Sequence, residues 1–188
     1  MSLQELSIAG AFLAIHNVFP DERGIFREWF KAEEIASINP HFEVKQANYS
    51  RSNQCVIRGI HYSIAPQGQA KIVTCASGRI IDVLIDLREG SPTFLNVHYV
   101  ELSEDSGKVV YIPTGVGHGY IVESDSAAVT YLTSSGYAPQ YEKAICPTDP
   151  ELVIEWAVPQ GKIAVISKAD STAPTLARAK ELGTLPTF

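Results

Sequence analysis

The stretch Ile112-Pro-Thr-Gly-Val-Gly-His-Gly119 decides the fold of this chain, because it sets a proline, glycines and a histidine between two short apolar runs. Val109–Ile112 leads into this stretch and Tyr120–Val122 follows it. Proline and glycine mark turns between regular elements. The stretch therefore predicts a tight turn that joins two short β-strands.

The segments on either side continue the β pattern. Arg79–Leu87 alternates, with one face formed by Ile81, Val83, Ile85 and Leu87 and the other by Asp82, Leu84 and Asp86. Further strands are predicted at Lys71–Cys75, Asn96–Leu102 and Ala127–Leu132. Only Ala32–Ile38 and Leu176–Leu182 have helical patterns, with a short turn at Asp149–Leu152. Turn residues at these intervals are typical of a sandwich or barrel. We expect an all-β, double-sheet antiparallel fold with a few short peripheral helices.

Length and composition indicate one globular domain over 1–188, with N-terminal strands and a short helix in 1–50 and a peripheral tail at 171–188. The net charge of −6 argues against a broad nucleic-acid-binding face. The 3 cysteines lack paired spacing, which favours free thiols in a reducing compartment. We see no membrane-spanning apolar run and no signal peptide, so we expect a cytoplasmic protein.

One segment collects reactive side chains. Arg58-Gly-Ile-His-Tyr62 is followed by Lys71, which gives a fixed cation, an imidazole, a phenol and an amine in a region patterned as strand. Histidine titrates nearest neutrality and is the natural general base. Lys71 and Arg58 could hold an anionic substrate or the charge that develops when a C–H proton leaves. A structural strand histidine remains the alternative.

The Pro-x-Gly-x-x-His turn at 113–118 resembles that of cupins, which are small double-sheet jelly rolls. Many cupins bind a transition metal through an earlier His-x-His, a Glu and that late histidine. Here His61 is followed by Tyr62 and Ser63, so the second imidazole is missing. We therefore expect no tight metal site. A metal-dependent cupin oxygenase stays open as an alternative.

Across about Leu6 to Asp170 the chain resembles the dTDP-4-dehydrorhamnose 3,5-epimerases, a family of cupin-type deoxysugar epimerases. The segments that carry the resemblance are Asp21–Glu28, Gln46–Ser50, Arg58–Tyr62, Gln69–Lys71, Asp82–Arg88 with Ser91–Phe94, Ile112–Gly119, Tyr131 with Tyr137 and Glu142, and Asp149-Pro150 with Trp156. In this order they are specific to the family. They do not separate double epimerases from 3- or 5-mono-epimerases of related deoxysugar pathways.

The resemblance implies proton transfer beside a ketone. In a dTDP-4-keto-6-deoxyglucose the C4 carbonyl acidifies both C3 and C5, and inversion at both gives dTDP-4-dehydro-L-rhamnose. His61 matches the base, and Asp170 matches the carboxylate that orients it. Tyr131 matches the acid on the opposite face, and Lys71 would stabilise the oxyanion at C4. A packed tyrosine and a solvated strand-edge lysine are the alternatives for Tyr131 and Lys71.

The resemblance also implies how substrate is held. It assigns the diphosphate to Arg23 and Arg58, nucleotide contacts to Phe26, Glu28 and Glu142, hydrogen bonds to Gln46 and Asn48, the sugar or a phosphate to His118, and thymine stacking to Tyr137. His118 could instead be a structural residue of the cupin turn. The expected partner is the dTDP-4-keto-6-deoxyhexose substrate, with no metal or organic cofactor, no nucleic acid and no membrane. A homodimer is expected, with an N-terminal segment helping to complete the neighbouring site.

The sequence departs from the family pattern at several positions. Ser63 stands where Gln commonly follows His-Tyr, and Ala169 in Ser167-Lys-Ala-Asp170 stands where Lys or Arg is common. Lys168 is a weak candidate for that missing contact. Cys55 replaces a usual Gly or Ala, and Gly117 a frequent Ala. None of these changes removes a proton-transfer group. A non-catalytic sugar-nucleotide binding module is the alternative from another class, since it would keep Arg58 without needing the acid and base.

Overall fold

Strands dominate the computed structural model, which describes residues 2–188. They are β1 Ser2–Glu5, β2 Phe12–Ile15, β3 Phe19–Asp21, β4 Gly24–Phe26, β5 Gln46–Asn53, β6 Val56–Ser63, β7 Lys71–Ser77, β8 Arg79–Asp86, β9 Val97–Ser103, β10 Lys108–Ile112, β11 Val116–Val122, β12 Ser126–Thr133, β13 Glu142–Ala144 and β14 Val165–Ile166. The helices are α1 Ala32–Ala36, a 3₁₀ helix at Pro150–Leu152, α2 Lys168–Ser171 and α3 Leu176–Glu181. The predicted all-β class with few short helices is confirmed.

The main strands form two sheets. Sheet I has the order β1-β2-β10-β7-β12-β5, and sheet II has the order β13-β6-β11-β8-β9. Neighbouring strands within both orders are antiparallel, and the short β14 adds to β6 in the parallel sense. β3 and β4 pair only with each other and form a separate two-stranded ribbon, here called the N-terminal ribbon.

The two faces of β8, which the alternation predicted, pack against two different hydrophobic clusters. Ile80 and Leu84 enter the cluster between the sheets, where they meet side chains of sheet I such as Val110 and Val129. Ile85 and Leu87, on the other face, join a second cluster that includes Leu152, Leu176, Ala179 and Leu185. Both faces of β8 are thus covered, which explains why its sequence is apolar on both sides.

The helices are short and cover the outer faces of the sheets. Ile35 of α1 packs over sheet I in a cluster with Ile72, Tyr111 and Leu132. The tail packs α3 against sheet II, and its last residue donates from Phe188 N to Glu89 O at 3.1 Å. No helix within residues 2–188 combines the length and apolarity needed to cross a membrane.

The start of β11 and the helix α2 differ from the prediction. β11 begins at Val116, whereas the sequence pattern indicated a strand only from Tyr120. A Cβ at Gly117 would lie 2.7 Å from Ile60 Cγ2, and one at Gly119 would lie 2.6 Å from Arg58 O. Glycine lets β11 approach β6 closely but has low strand propensity, so it hid the strand. The four-residue α2 was also missed, because it is too short to show periodicity.

Candidate active site

Two adjoining chambers lie between the sheets. The large chamber, of about 410 Å³, is lined by Gln46, Asn48, His61, Gln69, Lys71, Tyr131, Tyr137, Glu142, Lys143, Ala144, Ala169 and Asp170. The small chamber, of about 120 Å³, is lined by Ser50, Arg58, His61, Lys71, His118, Gly119, Tyr120 and Tyr131. His61, Lys71 and Tyr131 line both chambers, so they mark the junction.

His61 and Asp170 form a hydrogen-bonded pair at this junction. His61 Nε2 lies 2.7 Å from Asp170 Oδ1, although the residues are 109 positions apart. Burial of Asp170 favours its neutral form, but hydrogen bonds from His61, Ser167 and the Gly59 backbone outweigh this and lower its pKa. An ionised carboxylate only accepts hydrogen bonds. The proton of neutral His61 therefore lies on the nitrogen that faces Asp170, and the other nitrogen keeps its lone pair for proton abstraction.

Lys71 places a buried ammonium group beside the base. Its side chain makes no hydrogen bond or ion pair with any group in residues 2–188, and the residue is 7% exposed. Burial lowers the pKa of Lys71, while the charges of Glu142 and Asp82 oppose that shift. Burial also raises the pKa of Glu142, and this effect exceeds the opposing effects of Lys71, His61 and Lys143. A buried cation beside the base can stabilise a developing oxyanion.

Tyr131 faces the cavity from sheet I. It lies on β12 opposite Asn48 of β5 and Val73 of β7. Burial raises the pKa of the Tyr131 phenol; Tyr120 and Glu142 add to this effect, and Arg58 opposes it. The phenol thus stays protonated at neutral pH and can donate a proton. Its ring also packs against the core between the sheets, so the packing role is compatible with a chemical one.

His118, which lines the small chamber, belongs to a second histidine–aspartate pair. His118 Nε2 lies 2.7 Å from Asp82 Oδ1, and His118 pairs across β6 and β11 with His61. Asp82 Oδ2 is buried without a hydrogen-bond partner in residues 2–188. Sequence analysis did not select Asp82, although an aspartate facing inward on an apolar strand was a usable signal. No three His, Cys, Asp or Glu side chains in the described part of the chain are grouped closely enough to hold a metal ion.

Comparison with known proteins identifies the family of this site. Residues 5–178 match the family model described as dTDP-4-dehydrorhamnose 3,5-epimerase. The chain belongs to this epimerase family. It is an isomerase that acts on dTDP-sugars, as a 3,5-epimerase or a 3-epimerase of deoxysugar biosynthesis.

Relatives named as 3,5-epimerases and relatives named as 3-epimerases are about equally similar to this chain. The dTDP-4-dehydrorhamnose 3,5-epimerase of Mycolicibacterium smegmatis is 41% identical over 100% of this chain and 92% of its own. A dTDP-4-dehydro-6-deoxyglucose 3-epimerase of a Streptomyces species is 40% identical over 99% of this chain and 94% of its own. The Legionella pneumophila 3,5-epimerase, solved in complex with dTDP-4-keto-L-rhamnose, is 32% identical, with a TM-score of 0.91 over 100% of this chain and 98% of its own. The epimerase chain therefore has the cupin-type jelly roll that the sequence predicted.

Several of the residues expected to bind the nucleotide line the large chamber of this epimerase. Gln46, Asn48, Tyr137 and Glu142 are among them. The Tyr137 backbone N–H donates to Gln46 Oε1 at 2.9 Å, and Gln46 Nε2 donates to Asn48 Oδ1 at 2.7 Å. The Tyr137 residue is 68% exposed, so its ring is available for stacking. Arg58 lines the small chamber, where its Nε donates to Ser52 Oγ at 2.9 Å.

Three expected binding residues lie outside both chambers of their own chain. Arg23 and Phe26 belong to the N-terminal ribbon region, and Glu28 follows it. The Arg23 side chain is 83% exposed and pairs with Asp21, while Phe26 is 64% exposed. Glu28 pairs with Lys31 at 2.8 Å. The geometry of one chain therefore does not unite these residues with His61.

Two of the departures from the family pattern, Ser63 and Gly117, have local explanations in this epimerase. Ser63 is buried, and its Oγ accepts a hydrogen bond from Gln69 N at 2.6 Å. A Cβ at Gly117 would lie within 2.8 Å of side-chain atoms of Ile60, Ile85 and Leu87, so a larger residue would force these side chains to shift. Ala169 lines the large chamber, whereas the exposed Lys168 does not. Lys143 and Gln69, which sequence analysis gave no role, line that chamber as well.

Proposed function

We propose that this epimerase inverts both C3 and C5 of dTDP-4-keto-6-deoxyglucose and forms dTDP-4-dehydro-L-rhamnose without a metal or organic cofactor. The observation that carries the proposal is the junction of the chambers. There the His61–Asp170 pair from sheet II and α2 lies across the cavity from Tyr131 of sheet I, with the Lys71 ammonium beside them. A base and an acid on opposite walls are what inversion requires.

Each inversion consists of two proton transfers. His61 removes the proton from C3 or C5, and the bonding electrons move into an enolate whose oxygen is the former C4 carbonyl. Lys71 stabilises that oxygen, and Asp170 stabilises the imidazolium. Tyr131 then donates its proton to the opposite face of the same carbon, and the ketone re-forms. His61 releases its extra proton to solvent, and Tyr131 takes one up from solvent. The same groups act at both carbons because both are adjacent to C4.

The lining of the large chamber supports the proposal that the substrate carries a nucleotide. A structural relative binds dTDP-4-keto-L-rhamnose, and here Tyr137, Gln46 and Asn48 provide a stacking surface and amide groups in that chamber. In the small chamber, Arg58 supplies a guanidinium suited to phosphate oxygens, and His118 is held by Asp82 for a sugar or phosphate oxygen. We assign dTDP-linked 4-keto-6-deoxyhexoses to this cavity on those grounds.

The proposal includes a homodimer in which the N-terminal ribbon completes the neighbouring site. The ribbon exposes Phe19, Ile25 and Phe26, and it pairs with neither sheet of its own chain. Exposed apolar side chains on an isolated ribbon are suited to contact another chain. In the neighbour, Arg23, Phe26 and Glu28 would reach the nucleotide.

A 3-mono-epimerase is the second candidate, because a Streptomyces relative of that name is 40% identical to this chain. Both candidates share the base, the acid and the oxyanion group. They differ in which carbon is inverted, and this difference can be measured directly.

The decisive experiment is NMR of dTDP-4-keto-6-deoxyglucose incubated with the enzyme in D₂O. We expect deuterium at both C3 and C5, and L-rhamnose product after coupling to a 4-keto reductase. His61→Ala should abolish exchange at both carbons while dTDP still binds, because the base acts in the transition state. Exchange at one carbon would establish the mono-epimerase, and dTDP binding without any exchange would indicate a binding module. Normal turnover in His61→Ala would refute the mechanism.

A further inference from the structure

Gln69 connects three parts of the active site. Its backbone N–H donates to Ser63 Oγ at 2.6 Å, which ties it to the strand that carries His61. Its side-chain Nε2 donates to Ser135 O at 3.1 Å and to Gly136 O at 3.2 Å. Gln69 is 8% exposed and precedes Lys71 by two positions. One buried residue thus links the base strand, the Lys71 strand and the segment that carries Tyr137.

That segment, loop 134–141, joins β12 to β13. Backbone hydrogen bonds hold its two ends, Ser134 N to Ala70 O at 3.0 Å and Ile64 N to Tyr141 O at 3.1 Å, and side chains hold its middle. Besides the Gln69 bonds, Thr133 Oγ1 donates to Ser135 O at 2.8 Å, and the Tyr137 backbone N–H donates to Gln46 Oε1 at 2.9 Å. The Tyr137 ring itself is largely exposed. The position of the ring at the chamber wall therefore depends on how its backbone is held.

We propose that Gln69 is a positioning residue for nucleotide recognition, which holds loop 134–141 so that Tyr137 stands at the wall of the large chamber. Ser63, where the family commonly has Gln, supplies the acceptor that holds Gln69 in turn. The inference rests on the proposed function for the identity of the nucleotide. It gives Gln69 a role in affinity and leaves proton transfer to His61, Lys71 and Tyr131.

The test compares Gln69→Met and Gln69→Glu with wild type, using dTDP as the probe in calorimetry. Both variants keep the side-chain length but remove the donor, and Glu adds repulsion toward the two carbonyls. We expect the dTDP Kd and the KM for substrate to rise roughly tenfold, because the Ser135 and Gly136 carbonyls lose the donor that fixes the loop, while kcat stays within about threefold. Gln54→Met is the matched control, since Gln54 Nε2 also donates to a backbone carbonyl, Glu123 O at 3.0 Å, away from the cavity. It should leave the dTDP Kd unchanged.

A double-mutant cycle with Tyr137→Ala tests whether Gln69 acts through Tyr137. If it does, Gln69→Met in the Tyr137→Ala background should weaken dTDP binding little further. A lowered Tm with an unchanged Kd in folded Gln69→Met, or full additivity in the cycle, would overturn the inference alone. If Tyr137→Ala itself left the Kd unchanged, the stacking role in the proposed function would fail, and this inference with it.

Discussion

At the scale of single residues, the site keeps charged and polar groups where burial disfavours them. The Lys71 ammonium has no partner in residues 2–188, and one oxygen each of Asp82 and Glu142 is buried without a hydrogen bond. Unsatisfied buried groups cost stability and are rare outside functional sites. Removal of the unpaired Lys71 charge is therefore expected to raise stability and to lower activity.

Lys71→Met should be more stable than wild type at neutral pH and nearly inactive. Burial lowers the Lys71 pKa below its ordinary value of 10.5. The unfolded chain therefore binds this proton more tightly than the folded chain does. The penalty on wild type is complete below the folded pKa, falls as pH rises through it, and vanishes above about 10.5. We expect a gain of roughly 1–3 kcal/mol at pH 7, the cost of burying a polar group without a hydrogen-bond partner, and a loss of about 10²–10³ in kcat.

Thermal unfolding of Lys71→Met and wild type from pH 6 to 10 measures this difference, which should narrow as pH rises. Lys162→Met, at an exposed lysine, is the control and should not change stability in this way. A Lys71→Met protein that is less stable than wild type at pH 7 would mean that contacts hold the ammonium.

Tyr131→Phe should separate proton removal from inversion. The change keeps the ring and its packing but removes the phenolic proton, so His61 can still abstract a proton and Lys71 can still hold the enolate. Deuterium exchange into substrate should survive, while inverted product falls by roughly 10²–10⁴-fold, the range for one general acid. NMR of the same sample gives both quantities.

The control for this change is Tyr111→Phe. Tyr111 OH accepts a hydrogen bond from Asn39 Nδ2 at 3.0 Å in the cluster under α1, away from the chambers. Tyr111→Phe should leave both deuterium exchange and inversion near wild-type levels. Equal and small losses of exchange and inversion in Tyr131→Phe would assign that residue to packing, with another proton donor.

At the scale of elements, the site depends on a four-residue helix that brings Asp170 to His61. Ser167 is the N-cap of α2, and its Oγ accepts a hydrogen bond from Asp170 N at 3.0 Å. The same cap therefore orders the helix and orients the residue whose carboxylate holds the base. Because α2 is so short, little else in the helix itself fixes its position.

Ser167→Ala should lower stability by about 1 kcal/mol, the usual cost of a lost N-cap, and should also lower kcat. The kcat loss should be smaller than that of Asp170→Asn, and the two changes together should cost little more than Asp170→Asn alone. Thr175→Ala is the matched control, because Thr175 caps α3 through Arg178 N at 3.2 Å. It should lose stability with kcat unchanged. If both variants keep wild-type kcat, the cap does not position Asp170.

Elements with strong patterns could be predicted from the sequence, and those that depend on tertiary contact could not. The alternation of β8 indicated its two faces correctly, because both faces meet apolar clusters. The first half of β11 was missed, because glycine has low strand propensity. Gly117 and Gly119 occur there because β6 lies too close for a Cβ. Asp170 was selected only through family resemblance, because no local pattern relates residues 109 positions apart. The His118–Asp82 pair likewise depends on the register of β11 and β8.

At the scale of the whole molecule, one chain leaves part of its proposed binding set unused. The chambers contain the acid, the base and the oxyanion group, whereas the N-terminal ribbon carries an exposed arginine and exposed aromatic rings elsewhere. A symmetric dimer that exchanges the ribbons would satisfy both observations, because each chain would place its ribbon at the partner's chambers and receive the partner's ribbon at its own.

Mixing two inactive variants should therefore restore activity. Arg23→Ala would lack the ribbon cation and His61→Ala the base, yet a mixed dimer has one site with both. Random reassortment after mild dissociation should recover about a quarter of wild-type activity. The control mixes Arg23→Ala with the Arg23→Ala/His61→Ala double variant, which contains no complete site. Failure to recover activity from mixed dimers of verified composition would exclude ribbon exchange.

The long separation between His61 and Asp170 also has a consequence for synthesis on the ribosome. At about 5–20 residues per second, roughly 5–20 s pass between the emergence of these two residues. During that interval the ribosome makes every strand that will pair with β6, because β11, β13 and β14 all follow β6 in the chain. The nascent protein thus presents β6 without a strand partner at least until β11, which ends at Val122, has been made. A ribosome that stops before codon 170 leaves a chain without the carboxylate partner of its base.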